Sequence, residues 1–374
     1  MLAGILLVLV FGSLAYCALN IGAGLRYLAV RPPILRNGAP VSILKPLAGA
    51  EEGLEANLRS FFEQRYAPFE ILLAVRSAED AAIPIVERLR AAYPAVPSRL
   101  IVTGEPPYAN AKVYSLERML AEARHRLVVM SDSDTRVTPE MLATLAAELQ
   151  DEKVGLVTCP YRAVPGRSPW STLEALGLNT EFTGGVLVAR MLEGMKFALG
   201  PTIAARREAL DAIGGMPAVK DYLAEDYVLG KLVAALGFRV VLSSYVIEHR
   251  IGAQGFAANV KHRLRWNRST RRSRPWGYIG QVFTHPLPLA LMLWALRPEW
   301  WPLMAAAAIF RAAAGWVTAG LVLHDPAIRR LWWIGPAQDV ASFLMWAAGF
   351  FGNTILWRGR RYALLRDGRF EFLR

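Results

Sequence analysis

Leu127 to Met130 is an uninterrupted apolar run that stops abruptly at Ser131-Asp132-Ser133-Asp134. So short a run, with no polar alternation, fits a strand buried on both faces, as in a parallel sheet between two layers of helices. Ligands of such sheets bind beyond the carboxyl ends of the strands, which is where Asp132 and Asp134 emerge. Two carboxylates at i and i+2 can converge on a divalent cation and a ribose hydroxyl. Mg2+ and Mn2+ take hard oxygen ligands of this kind and share them with substrate phosphates. Asp and Ser are also ordinary turn residues, so the rest of the chain has to decide between a metal site and a plain turn.

Residues 40–160 alternate strand and helix patterns. Strands are expected at Val41–Leu44, Ile71–Val75, Leu100–Val102, Arg126–Met130 and Val154–Thr158. Helices are expected at Leu54–Gln64, Ile83–Tyr93, Val113–Glu122 and Pro139–Leu149, the last with Pro at its start. This βαβ order predicts an α/β domain with a mostly parallel, twisted sheet and right-handed crossovers. Neither G-x-G-x-x-G nor a Walker loop occurs, which argues against an ordinary dinucleotide or ATP site. Candidates for a different nucleotide site cluster at the strand ends. Lys45 follows the first strand, Asp80 comes after the second, and Lys112 precedes the third helix. Each also has a plain reading, as a solvated charge or, for Asp80, a helix cap.

Membrane attachment follows from the ends of the chain. Residues 1–25 carry no charge, and Arg26, Arg31 and Arg36 come after the apolar run rather than before it. A cleaved signal peptide would begin basic, so this stretch reads as an anchor long enough to span a bilayer. The basic flank predicts that the following domain, 38–275, is cytoplasmic. Downstream, Val282–Leu296 holds His285, Pro286 and Pro288 and reads as interfacial or re-entrant, whereas Trp300–Leu323 and Ile334–Trp357 are long enough to span. Residues 282–357 thus form the membrane segments. A basic tail, 358–374, with Arg358, Arg360, Arg361, Arg366, Arg369 and Arg374, is expected on the cytoplasmic side. Arg311 and Asp339 fall inside the two spans at different depths and are expected to find separate partners. The chain is 54% hydrophobic yet 20% charged, with a net charge of +12. Its arginines lie beside apolar segments, which favours an anionic membrane surface over nucleic acid. Cys17 and Cys159 lie in apolar runs and form no disulfide or metal pattern.

The later soluble segments are irregular. Trp170–Met195 is expected to form a helix, either on the bilayer face or partly buried. Glu225 and Asp226 open the helix ending at Gly237, where acidic residues complement the helix dipole or one serves as a general base. Seven Lys or Arg residues lie between 261 and 274. Of these, Arg271, Arg272 and Arg274 suit lipid headgroups. Arg265 beside Trp266 suits a pyrophosphate leaving group. His249, alone after a strand, reads as structural, with a further metal ligand as the alternative.

Strand-DSD, then E-D-Y, then H-R-L-R-W resembles the processive-type inverting nucleotide-sugar glycosyltransferases of the GT-A fold, whose pattern is an early Asp, D-x-D, E-D and (Q/R)-x-x-R-W. The similarity is closer to the ceramide glucosyltransferase family (glycosyltransferase family 21) and its bacterial relatives that glycosylate hopanoids. It rests on V-S-I-L-K-P-L-A-G, S-F-F-E-Q, N-A-K-V, A-R-R-E-A-L-D-A-I-G-G, Y-L-A-E-D-Y and W-R-G-R-R-Y, spread over nearly the whole chain. One position departs: His262 stands where the last motif has Gln or Arg. Pro275-Trp276-Gly277-Tyr278 and the tail resemble the hopanoid branch somewhat more.

The resemblance implies a Rossmann-like GT-A domain with N- and C-terminal transmembrane helices, in an integral protein of a bacterial inner membrane. It implies inverting transfer from a UDP-sugar to the hydroxyl of a membrane lipid, ceramide or a hopanoid, with Mg2+ or Mn2+. Asp80 would contact the uracil or ribose, and Lys45 and Lys112 the nucleotide. Asp132 would hold the ribose, Asp134 the metal, and Asp226 would be the base. Arg265, Trp266 and His262 would attend the departing UDP. The contrasting expectation, from another class, is a non-catalytic scaffold binding acidic lipids.

Overall fold

The computed structural model describes residues 1–357 and 360–373. Two units partition the chain: a sheet unit of Arg31–Tyr161 and Met195–Arg250, and a helical unit of Met1–Val30, Arg162–Gly194 and Ile251–Arg374. The expected domain 38–275 is thus shared between the two units, with the helices of 162–194 and Phe256–Ser273 grouped with the terminal ones.

In the sheet unit, seven strands carry the core: β1 Val41–Pro46, β2 Phe69–Val75, β3 Ser98–Val102, β4 Leu127–Ser131, β5 Val154–Thr158, β6 Thr202–Arg206 and β7 Arg239–Leu242. Their order is β3-β2-β1-β4-β6-β5-β7. Every residue of β4 and β5 is buried, as a sheet covered on both faces demands. Helices Leu54–Phe62, Ile83–Ala92, Ala111–Glu122 and Met141–Glu148 occupy the expected connections. On one face, Leu44, Leu72, Val128 and Met130 pack with Val113 and Met119 of the third of these helices.

The sheet is mixed, and the departure from parallel pairing shapes the unit. Strands β1 to β4 pair parallel with one another, as do β5 and β7. β6 enters between β4 and β5, antiparallel to both. Its reversed direction places the start of β6, at Thr202, opposite Ser131 at the end of β4. Gly200 and Pro201 are delivered to the acidic turn in consequence.

In the helical unit, Leu2–Leu28 and Pro298–Val322 are long and apolar enough to cross a membrane. Pro275–Thr284 and Pro286–Leu296 together pass the same test but meet at 62°. That bend matches the broken element expected there, because Pro286 and Pro288 disrupt a continuous helix. Leu6 and Val10 of the first helix pack against Leu287, Leu293 and Ala307. Helix Pro169–Glu193, π-helical over Leu178–Phe182, is partly buried within the unit, with Ala175, Leu176 and Leu187 inside.

Three expectations for this unit change. Ile334–Trp357 is not one long helix: Gly335–Gly349 is helical, and Thr354–Trp357 is a strand. The helix end is held by basic side chains that satisfy its last carbonyls. Arg271 donates to Phe350 O, to Gly352 O at 2.7 Å and to Asn353 Oδ1 at 2.8 Å, and Arg268 donates to Phe351 O at 3.0 Å. Arg271, expected at lipid headgroups, is thus used inside the protein. The basic tail continues the strand: Thr354–Trp357, Arg360–Leu364 and Phe370–Phe372 form an antiparallel sheet. Arg358 and Arg374 lie outside the described residues.

Arg311 and Asp339 are paired, contrary to expectation. Arg311 Nε donates to Asp339 Oδ1 at 2.9 Å, with Asp339 fully buried. Depth counted along two straight full-length spans misplaced them, because the second helix is only 15 residues long. Asp339 also accepts from Leu287 N at 3.1 Å, and Arg311 Nη2 donates to Thr180 Oγ1 at 3.1 Å. Removing one partner of a buried pair costs about 3–5 kcal/mol, whereas replacing both with apolar residues is often neutral. Arg311→Met should lower the thermal midpoint of the detergent-solubilised protein sharply, and adding Asp339→Leu should recover most of the loss. Equal damage from the single and double variants would show that the pair is not the unit of stability.

Candidate functional site

The acidic turn is built from beneath by Lys45. The β1–β4 register sets Leu44 beside Met130, so Lys45 reaches the end of β4. Its ammonium is fully buried, donating to Asp132 O at 2.5 Å, Thr135 Oγ1 at 3.1 Å and Ser131 Oγ at 3.4 Å, and it lies 3.8 Å from the Phe61 ring centre. Burial pushes its pKa down to about 7, against the pull of Asp132 and Asp134. Three oxygens from the turn occupy its three donors. Lys45 therefore positions the Asp-Ser-Asp backbone and does not present its charge to a ligand as expected.

Above the turn, Lys112 bridges two carboxylates. Asn110 caps its helix by accepting from Val113 N at 3.2 Å. Lys112 Nζ sits 2.7 Å from Asp132 Oδ1 and 2.9 Å from Glu225 Oε1. Burial alone would lower its pKa, but Asp132 and Glu225 outweigh burial and hold it above the ordinary lysine value. Asp132 is raised by burial, with Lys112 opposing and Asp134 adding to the rise.

Asp226 sits in the first turn of helix Glu225–Ala235, beside Glu225. Lys112 neutralises Glu225, whereas burial, followed by the nearby Glu225 charge, pushes Asp226 up to about 7. Gly200 flanks it: a Cβ there would lie 3.0 Å from Asp226 Oδ2. Pro201 O accepts from Asp132 N at 3.0 Å, tying the two acidic segments together. Lys112, Asp132, Gly200, Glu225 and Asp226 line one small pocket with apolar walls from Leu116 and others.

Asp134 faces a residue that sequence reasoning set aside. Thr135–Arg136 pairs antiparallel with Ile247–Arg250, matching Thr135 with His249. His249 Nε2 thereby comes 3.1 Å from Asp134 Oδ2 across 115 positions of sequence. The imidazole is 8% exposed and edge-on to Tyr161, centroids 5.3 Å apart. Burial would raise the Asp134 pKa, but His249 outweighs it and holds the carboxyl below its usual value. Asp134 Oδ1 is buried and accepts no hydrogen bond. A buried, ionised carboxylate oxygen without a donor, beside an imidazole, fits a divalent cation that completes its shell with phosphate and water. No cluster of three His, Cys, Asp or Glu poised for a metal exists among the described residues.

Asp80 follows β2 and accepts from Gly49 N at 3.0 Å and Ala82 N at 2.9 Å. It caps the following turn and pins the loop after β1. The remaining candidates belong to the helical unit, on helix Phe256–Ser273. There His262 Nδ1 lies 2.6 Å from Glu174 Oε1, while Asn259 Nδ2 donates to Glu174 Oε2 at 2.6 Å. The His262 and Trp266 rings are 5.3 Å apart, and Phe182 packs on Trp266. On the same helix Arg265 directly precedes Trp266 and lies three residues after His262.

The geometry thus assembles Asp132, Lys112, Glu225 and Asp226 in one pocket, with Asp134 on the same turn as Asp132 and His249 brought against Asp134 from the Ile247–Arg250 strand. The sequence carried no local signal for His249 or for the Lys112–Glu225 contact, since both depend on pairing between distant strands and helices.

Comparison with known proteins agrees with this architecture. The profile described as Glycosyl transferase family 21 matches residues 5–370. Ceramide glucosyltransferase 1 of Caenorhabditis elegans is 32% identical over 55% of this chain and 44% of its own length. Ceramide glucosyltransferase 3 of the same organism is 29% identical over 55% and 45%. The match spans about half the length of these curated relatives. A solved mannosyltransferase from Pyrobaculum calidifontis, in complex with GDP-Man and Mn2+, has a TM-score of 0.57 at 19% identity, covering 94% of this chain and 99% of its own. That likeness places the fold as GT-A. By its fold and by a profile match over nearly its whole length, the chain belongs to glycosyl transferase family 21.

Proposed function

We propose that this protein is an inverting, membrane-bound glycosyltransferase that moves a hexosyl group from a UDP-sugar to the hydroxyl of a membrane lipid, in the first instance ceramide. The observation that carries the reading is Asp226: a carboxylate pushed up to about 7 in the same pocket as Asp132 and Lys112. General bases work best near the operating pH. The names of the curated relatives support the acceptor class.

In the proposed reaction the acceptor oxygen attacks the anomeric carbon as the bond from that carbon to the diphosphate oxygen breaks. The electron pair leaves on UDP, and Asp226 takes the hydroxyl proton. A single displacement with one base inverts the anomeric centre. Asp132, steadied by Lys112, holds the ribose. Asp134 and His249 would hold Mg2+ or Mn2+, which when bound offsets charge on the diphosphate. Asp80 contacts the nucleoside, and Arg265, Trp266 and His262 attend the leaving group. Arg26, Arg31 and Arg36 after the first helix support a catalytic unit on the cytoplasmic side of a bacterial inner membrane, against its anionic surface.

The test uses full-length protein in nanodiscs, supplied separately with UDP-glucose, UDP-galactose and UDP-N-acetylglucosamine, and with ceramide or a hopanoid polyol. Mass spectrometry should show a hexosylceramide, and NMR an inverted anomeric centre. The resemblance of 275–278 to the hopanoid branch makes an N-acetylglucosaminyl hopanoid the second reading. No product with any pair would leave the acidic-lipid scaffold instead.

A further inference from the structure

Helix Pro169–Glu193 loosens into a π-helical turn at Leu178–Phe182, a feature that recurs at functional sites. The turn presents three polar side chains, Asn179, Thr180 and Glu181, inside the helical unit. Two are satisfied. Asn179 Nδ2 donates to Ala163 O at 3.0 Å and Asp325 Oδ2 at 2.9 Å, and Thr180 accepts from Arg311. Glu181 makes no hydrogen bond among the described residues and faces His285 Nε2 at 3.8 Å, too far for a direct bond.

His285 is 1% exposed, and neither ring nitrogen has a hydrogen-bond partner. Phe343 and Trp346 wall it, with ring centres 5.8 Å and 6.0 Å away. Gln338, on the same helix as Phe343 and Trp346, meets the Glu181 helix at Gly177, one turn before Glu181. Gln338 is fully buried, its Nε2 donates to Ser342 Oγ at 2.7 Å, and its Oε1 has no partner. Gly177, one turn before Glu181, gives it room, since any Cβ at 177 would collide with Gln338 Nε2. Buried polar atoms are nearly always paired, so the unmet His285 nitrogens and Gln338 Oε1 indicate an occupant, with Glu181, its side chain 22% exposed, at the edge of the group.

We propose that Glu181, His285 and Gln338 form a subsite in the helical unit for the neutral, hydrogen-bonding head of a lipid. One hydroxyl of the head donates to Glu181 and accepts from His285. A second donor, an amide N–H or another hydroxyl, reaches Gln338 Oε1. A phosphate headgroup is disfavoured because Glu181 and Gln338 Oε1 are both acceptors, and a quaternary ammonium has no donor to offer. The assignment rests on the reading of the protein as a lipid glycosyltransferase and adds which residues recognise the acceptor. Ceramide and a hopanoid polyol share the required donors.

Two readouts test it on full-length protein: lipid retention by native mass spectrometry, which needs no turnover, and acceptor KM in nanodiscs. Glu181→Gln and His285→Phe should each raise acceptor KM, and lower retention, by about tenfold or more, the usual cost of a lost bond to a charged or buried group. UDP affinity should stay within about twofold, well under that cost. N-methylated ceramide should bind the wild type worse than ceramide but show no such difference with Gln338→Leu. If the source is a polyol, the polyol is retained and the ceramide pair is not. Variants that unfold are recognised by size-exclusion profile, and the conservative His285→Asn then carries the test. Equal lipid retention by wild type and folded variants would overturn the subsite. A wild type that retains lipid but transfers no sugar would overturn the proposed function and leave the subsite standing.

Discussion

Asp226→Asn should lower turnover by about 10²–10⁴-fold, the usual contribution of a positioned base, with UDP affinity changed little. The substitution keeps the shape of the side chain and removes only its capacity to take a proton. The pH profile gives a sharper signature. With burial pushing Asp226 up to about 7, the base is protonated at lower pH. kcat/KM of the wild type should therefore rise about tenfold per pH unit below that value and level off above it. In Asp226→Asn the residual activity should lose this limb. Glu225→Gln offers the contrast, since Glu225 is 2.9 Å from Lys112. Its loss should disturb Lys112 and Asp132 and weaken donor binding rather than abolish the proton acceptor. Turnover within a few-fold of wild type in Asp226→Asn would move the base elsewhere, to Glu225 first.

Asp134→Ala should eliminate divalent-ion binding, measured directly by calorimetry or Mn2+ resonance in the presence of UDP, and reduce transfer by about 10²-fold or more. That reduction corresponds to losing roughly 3 kcal/mol of charge stabilisation at the diphosphate. His249→Gln should weaken metal affinity by about 10–100-fold, the range for a group that touches or orients a ligand. The expectation rests on Asp134 Oδ1, buried without a donor, and on the 3.1 Å contact between Asp134 Oδ2 and His249. Activity that survives EDTA undiminished would refute the metal assignment. Metal binding unchanged in His249→Gln would return His249 to a structural role beside Tyr161.

Particular residues show what could be read beforehand. Asp132, Asp134 and Asp226 were legible because each stands at the end of a strand or the start of a helix whose pattern is local. The sheet strands from 41 to 158 were legible for the same reason. Lys45 was found but misjudged. Nothing in Leu44-Lys45-Pro46 says that the ammonium is buried over Phe61 rather than solvated, because burial depends on what packs above it. Arg271 was likewise placed at a lipid surface, when it closes the turn after Gly349.

Sequence alone determined the strands and helices from 41 to 158, the acidic motifs, the apolar first helix and the break at Pro286, all of which follow from local spacing. Only the tertiary structure decided the partners. The reversed β6 brings Gly200 to Asp226, the Thr135–His249 pairing brings an imidazole to Asp134, and a short final helix brings Asp339 to Arg311. The physical reason is that a strand pattern records which face is buried, not its direction or its neighbour. Those are set by how the whole chain satisfies its backbone hydrogen bonds and buries its charges together.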